Sequence, residues 1–394
     1  MGDDRPLAVR PDYVVIVLFE SLSDALVSPE RTPSVLALAE RGQRWLGVTT
    51  VARPTHAAIG AWLCGEIPGG WPLDTRIDAI AAPVVRRHCL AASLGAQGYA
   101  SAYYQGSPLS FVGQDRRLIE MGFGTRVGSE GLASHYTGTA RNPWGFRDRE
   151  VYDGALRQLD SWRTRQQEGL LVIVTSDAHL PSQADHRCRA GGDAFDRAFR
   201  CADEALGAFV EALNHRGLGD TLLLVVVGDH AAPDIDSVRA KVAPEFAGPF
   251  ADVAVVAVGP GIGGVPERII AAQIDLPATI EAWLGLGPGQ QATREAPLRQ
   301  PTALTPDRRR GGHRFGSRND DDVLVSVAGR SLIGLRRAGL RWLGARGELV
   351  ADCEQGLKSA PEIERALAPC DVVRWLDELD SSETTTDAAV PTMP

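Results

Sequence analysis

Hydrophobic residues in this chain fall into short unbroken runs separated by amphipathic stretches. Tyr13 to Phe19 (YVVIVLF) is a continuous β-branched run, too short for a buried helix and suited to a strand covered on both faces. Thr32-Pro33 opens a helix that runs through Leu38 to Arg41 and stops at Gly42. The alternation then recurs. Val84 to Gln97 reads as a helix ended by Gly98, followed by a strand over Ala100 to Tyr104. Asp148 to Arg165 carries Val151, Ala155, Leu159 and Trp162 on one stripe, the mark of an amphipathic helix, and the strand Leu170 to Thr175 follows. A helix over Phe195 to Asn214 precedes a strand over Thr221 to Val227. The strand Val253 to Val258 and a helix over Leu276 to Leu284 complete the series.

Repeated helix-then-strand units with apolar strands predict an α/β fold, a mostly parallel central sheet flanked by helices. In such sheets functional residues gather at the carboxyl ends of the strands. Glu20, Ser176-Asp177 and Gly228-Asp229-His230 occupy three such ends. Gly285 to Gly312 is rich in Pro, Gly, Gln and Arg and reads as a linker. Beyond it, Asp322 to Val327, Ser331 to Arg336 and Leu340 to Leu343 read as short antiparallel strands, with turns at Ala328-Gly329 and Ala338-Gly339. A helix over Pro361 to Ala368 follows. The expected division is a catalytic domain over 1–305, a small C-terminal β/α subdomain over 306–379 and a disordered polar tail over 380–394.

A net charge of −9 without an extended Lys/Arg run gives no support to a nucleic-acid partner. It leaves anionic substrates open, because a metal supplies positive charge locally. No apolar stretch approaches the roughly 20 residues needed to span a bilayer, and the N-terminus lacks the apolar core of a signal peptide. No leader or anchor is expected in this chain. The six cysteines fall into three local couples, Cys64 with Cys89, Cys188 with Cys201 and Cys353 with Cys370. An even count in local pairs points to disulfides and an oxidising compartment, the alternative being six independent buried thiols. No couple has the Cys-x-x-Cys spacing of a zinc site.

Glu20, Asp229 and His230 offer two carboxylates and an imidazole from different strand ends to one divalent cation. An oxygen-rich set with one nitrogen suits Mn²⁺ or Zn²⁺ without choosing between them. Thr55 lies where a loop meets a helical pattern with small residues at Ala57, Ala58, Gly60 and Ala61. A hydroxyl at a helix N-terminus gains from the dipole, and a cation would lower its pKa enough to make it a nucleophile. The plain alternative is an N-cap.

In combination these residues resemble a family. The order Glu20, Thr32-Pro33, Thr55, Cys64-Gly65 and Gly228-Asp229-His230 is similar to the alkaline phosphatase and sulfatase superfamily. Within it the chain resembles the phosphoglycerol transferases, namely lipoteichoic acid synthase and, more closely, phosphoglycerol transferase I of osmoregulated periplasmic glucans. Tyr104-Gln105-Gly106, Phe111, Gly113, Met121-Gly122-Phe123, Gly128-Ser129-Glu130, Trp144-Gly145-Phe146, Asp177-Ala178-His179, Cys188 and Cys201 carry that likeness, which covers about residues 13–260.

The resemblance implies that Glu20, Thr55, Asp229 and His230 hold a single metal, with Thr55 also the nucleophile. His179 matches a histidine beside the substrate, and a near-neutral pKa suits it to protonate a leaving alkoxide and later deprotonate an acceptor. Gln105, Ser110 and Trp144 fall where the family contacts the phosphoglycerol headgroup. Arg53 could neutralise a phosphate, while His56, His186 and His313 read as structural. The implied partner is a phosphoglycerol-bearing glucan or lipid headgroup, met in the periplasm. Thr55 is not a Cys or Ser in a Cys-x-Pro-x-Arg context, and no second Asp/His metal set is evident. One-metal phosphodiester transfer or hydrolysis therefore fits better than sulfate or monoester hydrolysis.

Overall fold

The computed structural model describes residues 7–286, apart from 8, 51, 53, 66–88, 190, 234–235 and 243–251, together with 313–315, 324–328 and 331–332. Its strands are β1 (Tyr13–Phe19), β2 (Gln43–Thr49), β3 (Ala100–Gln105), β4 (Thr125–Val127), β5 (Arg141–Asn142), β6 (Gly145–Phe146), β7 (Gly169–Val174), β8 (Leu222–Gly228), β9 (Asp252–Val258) and β10 (Glu267–Ala272). The helices are α1 (Pro33–Arg41), α2 (Thr55–Cys64), α3 (Leu90–Gly95), α4 (Gln114–Met121), α5 (Ser129–Leu132), α6 (Asp148–Thr164), α7 (Ala194–His215), α8 (Asp236–Arg239) and α9 (Leu276–Trp283).

Eight strands form one sheet in the order β10-β2-β9-β8-β1-β7-β3-β4. Every pairing is parallel except the two made by β9, which runs against β2 and β8. The central strand explains its own sequence. All seven residues of β1 are buried, with Val14, Ile16 and Leu18 facing one apolar cluster and Tyr13, Val15, Val17 and Phe19 facing the other. The first cluster is closed by α2, α3, α4 and α9, and the second by α1, α6 and α7. Each Val, Ile or Leu so covered contributes about 1.5–3 kcal/mol of transfer free energy.

Of the helix expected over Val84 to Gln97, the described part is α3 from Leu90 to Gly95, and positions 84–88 lie outside the described residues. Cys89 is extended (φ −85°, ψ 135°) as its N-cap residue and bonded to Cys64. β2 and β10 lie outside the expected series. In β2 the alternation is broken by Gly47 (φ 83°), and the register with β9 shifts between Trp45 and Val48. A bulge of this kind hides the period that marks a strand. Of three short antiparallel strands, β12 (Leu324–Ala328) and β13 (Ser331–Leu332) overlap the expected strands over Asp322 to Val327 and Ser331 to Arg336, while β11 (His313–Phe315) lies outside the expected set. The strand over Leu340 to Leu343, the helix over Pro361 to Ala368, Arg53 and the couple Cys353–Cys370 lie outside the described residues.

Candidate active site

Parallel pairing places the first two ligand candidates. Phe19 of β1 stands in register with Gly228 of β8, so the residues that follow, Glu20 and Asp229, emerge side by side at the carboxyl edge. The backbone N–H of Asp229 donates to the Phe19 carbonyl at 2.9 Å, carrying the register one step past the strands. A Cβ at position 228 would lie 2.2 Å from the Leu22 carbonyl oxygen, so only glycine allows this approach.

Ser21, with φ 56°, turns its N–H onto Asp229 Oδ1 (2.7 Å), and its hydroxyl donates to Glu20 Oε1 (2.6 Å). The His230 N–H donates to the same Asp229 oxygen at 2.7 Å, which leaves Oδ2 facing Thr55. The Asp229 carbonyl is held by Trp62 Nε1 (2.8 Å) and Gln273 Nε2 (2.6 Å). Gln273 Oε1 also accepts the N–H of Ala52, three residues before Thr55. One side chain thus ties the aspartate loop to the threonine loop.

Thr55 is the first residue of α2, with Pro54 at the N-cap position. Its hydroxyl donates to Asp229 Oδ2 at 2.7 Å and lies 3.3 Å from Glu20 Oε2 and 3.4 Å from His230 Nε2. His230 Nδ1 donates to the Ala231 carbonyl (2.9 Å), which turns Nε2 toward the carboxylates, 3.5 Å from Asp229 Oδ2 and 3.8 Å from Glu20 Oε1. Ligand atoms of Glu20, Asp229 and His230 all fall within 4.8 Å of one another. Burial, and then the Asp229 carboxylate, push the Glu20 carboxyl up to about 8. Buried oxygens facing one another, with an imidazole nitrogen oriented by its second hydrogen bond, are a donor set that fits a divalent cation. Outside this set, burial and then Arg117 and His230 push His56 down to about 4.

The opposite flank of Glu20 leads to the second group. Its N–H donates to Thr175 Oγ1 at 2.9 Å, just past β7. The loop beyond carries His179, whose Nδ1 donates to the Leu180 carbonyl (2.6 Å), leaving Nε2 as the acceptor nitrogen. The Trp144 ring lies 4.2 Å from the His179 ring, and the exposed Phe111 ring meets Trp144 edge-on at 6.5 Å. Asp177 in this loop accepts from Arg147 Nη1 and from the Asp148 N–H, while Asp148 accepts from the N–H groups of Ser176 and Asp177. Desolvation first, and then each other's charge in the case of Asp148, raise both carboxyls above their usual range. Cys188–Cys201 fastens the far end of the loop to α7, and Cys64–Cys89 fastens the end of α2.

Glu20, Thr55, Asp229 and His230 thus converge, and the His179 and Trp144 rings meet at a tilt of 49°. Gln105 has its amide committed elsewhere. Oε1 accepts from Tyr103, and Nε2 donates to the carbonyls of Ser107 and Pro108 (3.2 Å each), so it shapes the loop after β3. Ser110 is exposed at the start of a 3₁₀ turn, Phe111–Gly113. Contributors unseen in the sequence include Ser21, Trp62, Gln273 and Arg117, whose Nη1 donates to the His56 carbonyl at 3.0 Å. Only α4, with Gln114, Leu118 and Met121 buried at helical spacing, carried a local signal for the last of these.

A family model described as Sulfatase matches residues 13–286. The chain belongs to the sulfatase family and has the alkaline phosphatase superfamily fold. An alkaline phosphatase superfamily protein from Vibrio parahaemolyticus is 19% identical, with a TM-score of 0.65 over 85% of this chain and 79% of that one. The lipoteichoic acid synthase LtaP from Listeria monocytogenes is 17% identical, with a TM-score of 0.61 over 72% and 74%. The Streptococcus pyogenes phosphoglycerol transferase GacH, in complex with sn-glycerol-1-phosphate, is 14% identical, with a TM-score of 0.53 over 71% and 76%. No curated protein matches the chain. The family match points to an enzyme acting on phosphate or sulfate esters, and the two disulfides among the described residues fit an extracytoplasmic setting. Among the described residues no helix is long and apolar enough to cross a membrane.

Proposed function

We propose that this chain is a metal-dependent phosphoglycerol transferase that moves glycerol phosphate to or between periplasmic glucans through a covalent threonine intermediate. The observation that carries the reading is the Thr55 hydroxyl at a helix N-terminus, 2.7 Å from Asp229 Oδ2 and within 3.4 Å of Glu20 and His230. Glu20, Thr55, Asp229 and His230 would hold one Mn²⁺ or Zn²⁺. Such a cation lowers the pKa of a hydroxyl and neutralises charge on phosphoryl oxygen. The division into a catalytic domain over 1–305, a subdomain over 306–379 and a tail belongs to the same proposal.

The residues supply two in-line displacements. Thr55 Oγ1, its proton released to solvent, attacks phosphorus, and the bond from phosphorus to the leaving alcohol breaks. Protonated His179 gives its Nε2 proton to the departing alkoxide, leaving phosphoglyceryl-Thr55 and a neutral imidazole. An acceptor sugar hydroxyl then loses its proton to His179 and bonds to phosphorus, and Thr55 leaves and regains its proton. Trp144, packed at a tilt against His179, offers a face for a glycerol or sugar. Gln105 shapes the loop carrying Ser110, whose exposed hydroxyl is available to a headgroup.

The alternative is hydrolysis of the same diesters, with water in the acceptor's place. His179 and Trp144 are both half-exposed, so water reaches this flank. The test is rapid quench and peptide mass spectrometry after mixing metal-loaded protein with a phosphoglycerol diester. The expected adduct is one phosphoglyceryl group on the Thr55 peptide, absent in Thr55→Ala. Free glycerol phosphate insensitive to added glucan would turn the reading to the hydrolase. An adduct elsewhere would overturn the threonine mechanism.

A further inference from the structure

Asn142 is 7% exposed and spends its whole amide on two loops. Its Oδ1 accepts the backbone N–H groups of Trp144 (2.8 Å) and Gly145 (2.9 Å). Its Nδ2 donates to Ser176 Oγ (3.0 Å) and Asp177 Oδ1 (2.8 Å). Two backbone donors on one side and two oxygen acceptors on the other fix which end of the amide is which.

The first pair of bonds is an ordinary turn device. A side-chain oxygen bonded to the N–H two residues on closes the turn between β5 and β6, and aspartate would do this as well as asparagine. The second pair has no part in the turn. It reaches 34 and 35 residues along the chain to the loop that carries His179. An aspartate at 142 would set a second oxygen 2.8 Å from the Asp177 carboxylate, where two acceptors repel. The far side is therefore what calls for an amide. The near side places Trp144, the far side places the His179 loop, and the two rings meet at 4.2 Å. Gly106 and Gly145 close the backbone contact on the outer side, where a Cβ on either would lie 2.0–2.2 Å from a carbonyl oxygen.

We infer that Asn142 is a positioning residue that sets His179 and Trp144 as one unit for proton transfer to and from the leaving and acceptor oxygens. The inference rests on the reading of His179 as the proton carrier. Proton donation matters in proportion to the basicity of the leaving alkoxide. Both substrates pass through the same phosphoglyceryl-Thr55, so the leaving-group step is read in kcat/KM. Loss of Asn142 should lower it for a glycerol phosphodiester with a glycerol leaving group and largely spare it for the same diester of p-nitrophenol.

The experiment is a double-mutant cycle in the metal-loaded full chain, with Asn142→Asp, His179→Ala and the pair, assayed on both substrates. Metal content and melting temperature are measured on each protein. Asn142→Asp is expected to lower kcat/KM about 100-fold on the glycerol-leaving substrate, the scale of a small misplacement of a reacting group. It should do little to the p-nitrophenol diester and add no further loss in the His179→Ala background. Losses that multiply across the cycle, or fall equally on both substrates, would overturn the role of Asn142 and leave His179 standing. A His179→Ala protein with full activity on the glycerol-leaving substrate would remove both claims. If Asn142→Asp fails to fold, Asn142→Ser, which keeps a turn-forming oxygen and loses the amide's two donors, is read by the same criteria.

Discussion

Glu20 and Asp229 are 209 positions apart in sequence yet leave the sheet as neighbours, because Phe19 and Gly228 are paired in parallel register. Two buried carboxylates at one edge repel, and a proton or a cation must offset that repulsion. Burial and the Asp229 charge push Glu20 up to about 8, so in the metal-free fold the proton takes that role.

That shift gives a pH prediction. Between the ordinary value of 4.5 and about 8, the folded metal-free protein holds a proton on Glu20 that the unfolded chain has released. Stability falls wherever the native state binds more protons. The metal-free protein should therefore lose stability as pH rises through this window. A divalent cation displaces the proton, so the rise in melting temperature on adding Mn²⁺ or Zn²⁺ should be larger at pH 8 than at pH 5. Thermal unfolding with chelator and with metal at both pH values checks this, and an equal rise at both would count against it.

Gly228 is a steric gate for the aspartate ligand. Gly228→Ala places a Cβ 2.2 Å from the backbone oxygen of Leu22, an atom that cannot swing aside. Overpacking of this kind costs about 1–3 kcal/mol. Denaturant unfolding should register that loss, and metal affinity should fall with it because Asp229 is the next residue. Unchanged affinity would mean that the strand end adapts without moving the carboxylate.

Trp62 acts on the ligand through the Asp229 carbonyl. Trp62→Phe keeps the apolar body buried and removes the Nε1 donor at 2.8 Å. One net hydrogen bond, about 1 kcal/mol, should disappear from stability. Weaker metal binding by calorimetry would follow, together with little change in KM for substrate.

The disulfide Cys64–Cys89 closes a loop of 25 residues and ties the end of α2 to the start of α3. Cys64→Ser with Cys89→Ser should cost about 2–5 kcal/mol. Because Thr55 heads the same helix, amide exchange over residues 55–64 should quicken. Exchange that stays as slow as in the oxidised protein would show that burial alone holds α2.

Much of this was legible in sequence because the central strands are buried on both faces. Tyr13–Phe19 is apolar throughout and carries its strand assignment without help from its neighbours. The same reasoning marked Glu20 and Asp229 as strand-end residues, although only the register brings them together. Thr55 had a local signature at a helix start. The contacts that orient these groups had none. Ser21 depends on a left-handed backbone angle, Gln273 on a contact with Asp229 44 positions away, and Asn142 on one with Asp177 35 positions away. Gln105 shows the converse, since its position matched the family while its amide was already spent on its own loop. β2 escaped because a bulge breaks its alternation.

The central claim is that a threonine hydroxyl, two carboxylates and one imidazole share a single cation. Metal analysis with calorimetry on the intact chain, Asp229→Asn and Thr55→Ala tests it most directly. The expected result is one Mn²⁺ or Zn²⁺ per chain, lost or greatly weakened in Asp229→Asn, and retained more weakly in Thr55→Ala with no turnover. Binding that is indifferent to Asp229→Asn, or a stoichiometry of zero in the intact chain, would contradict the account.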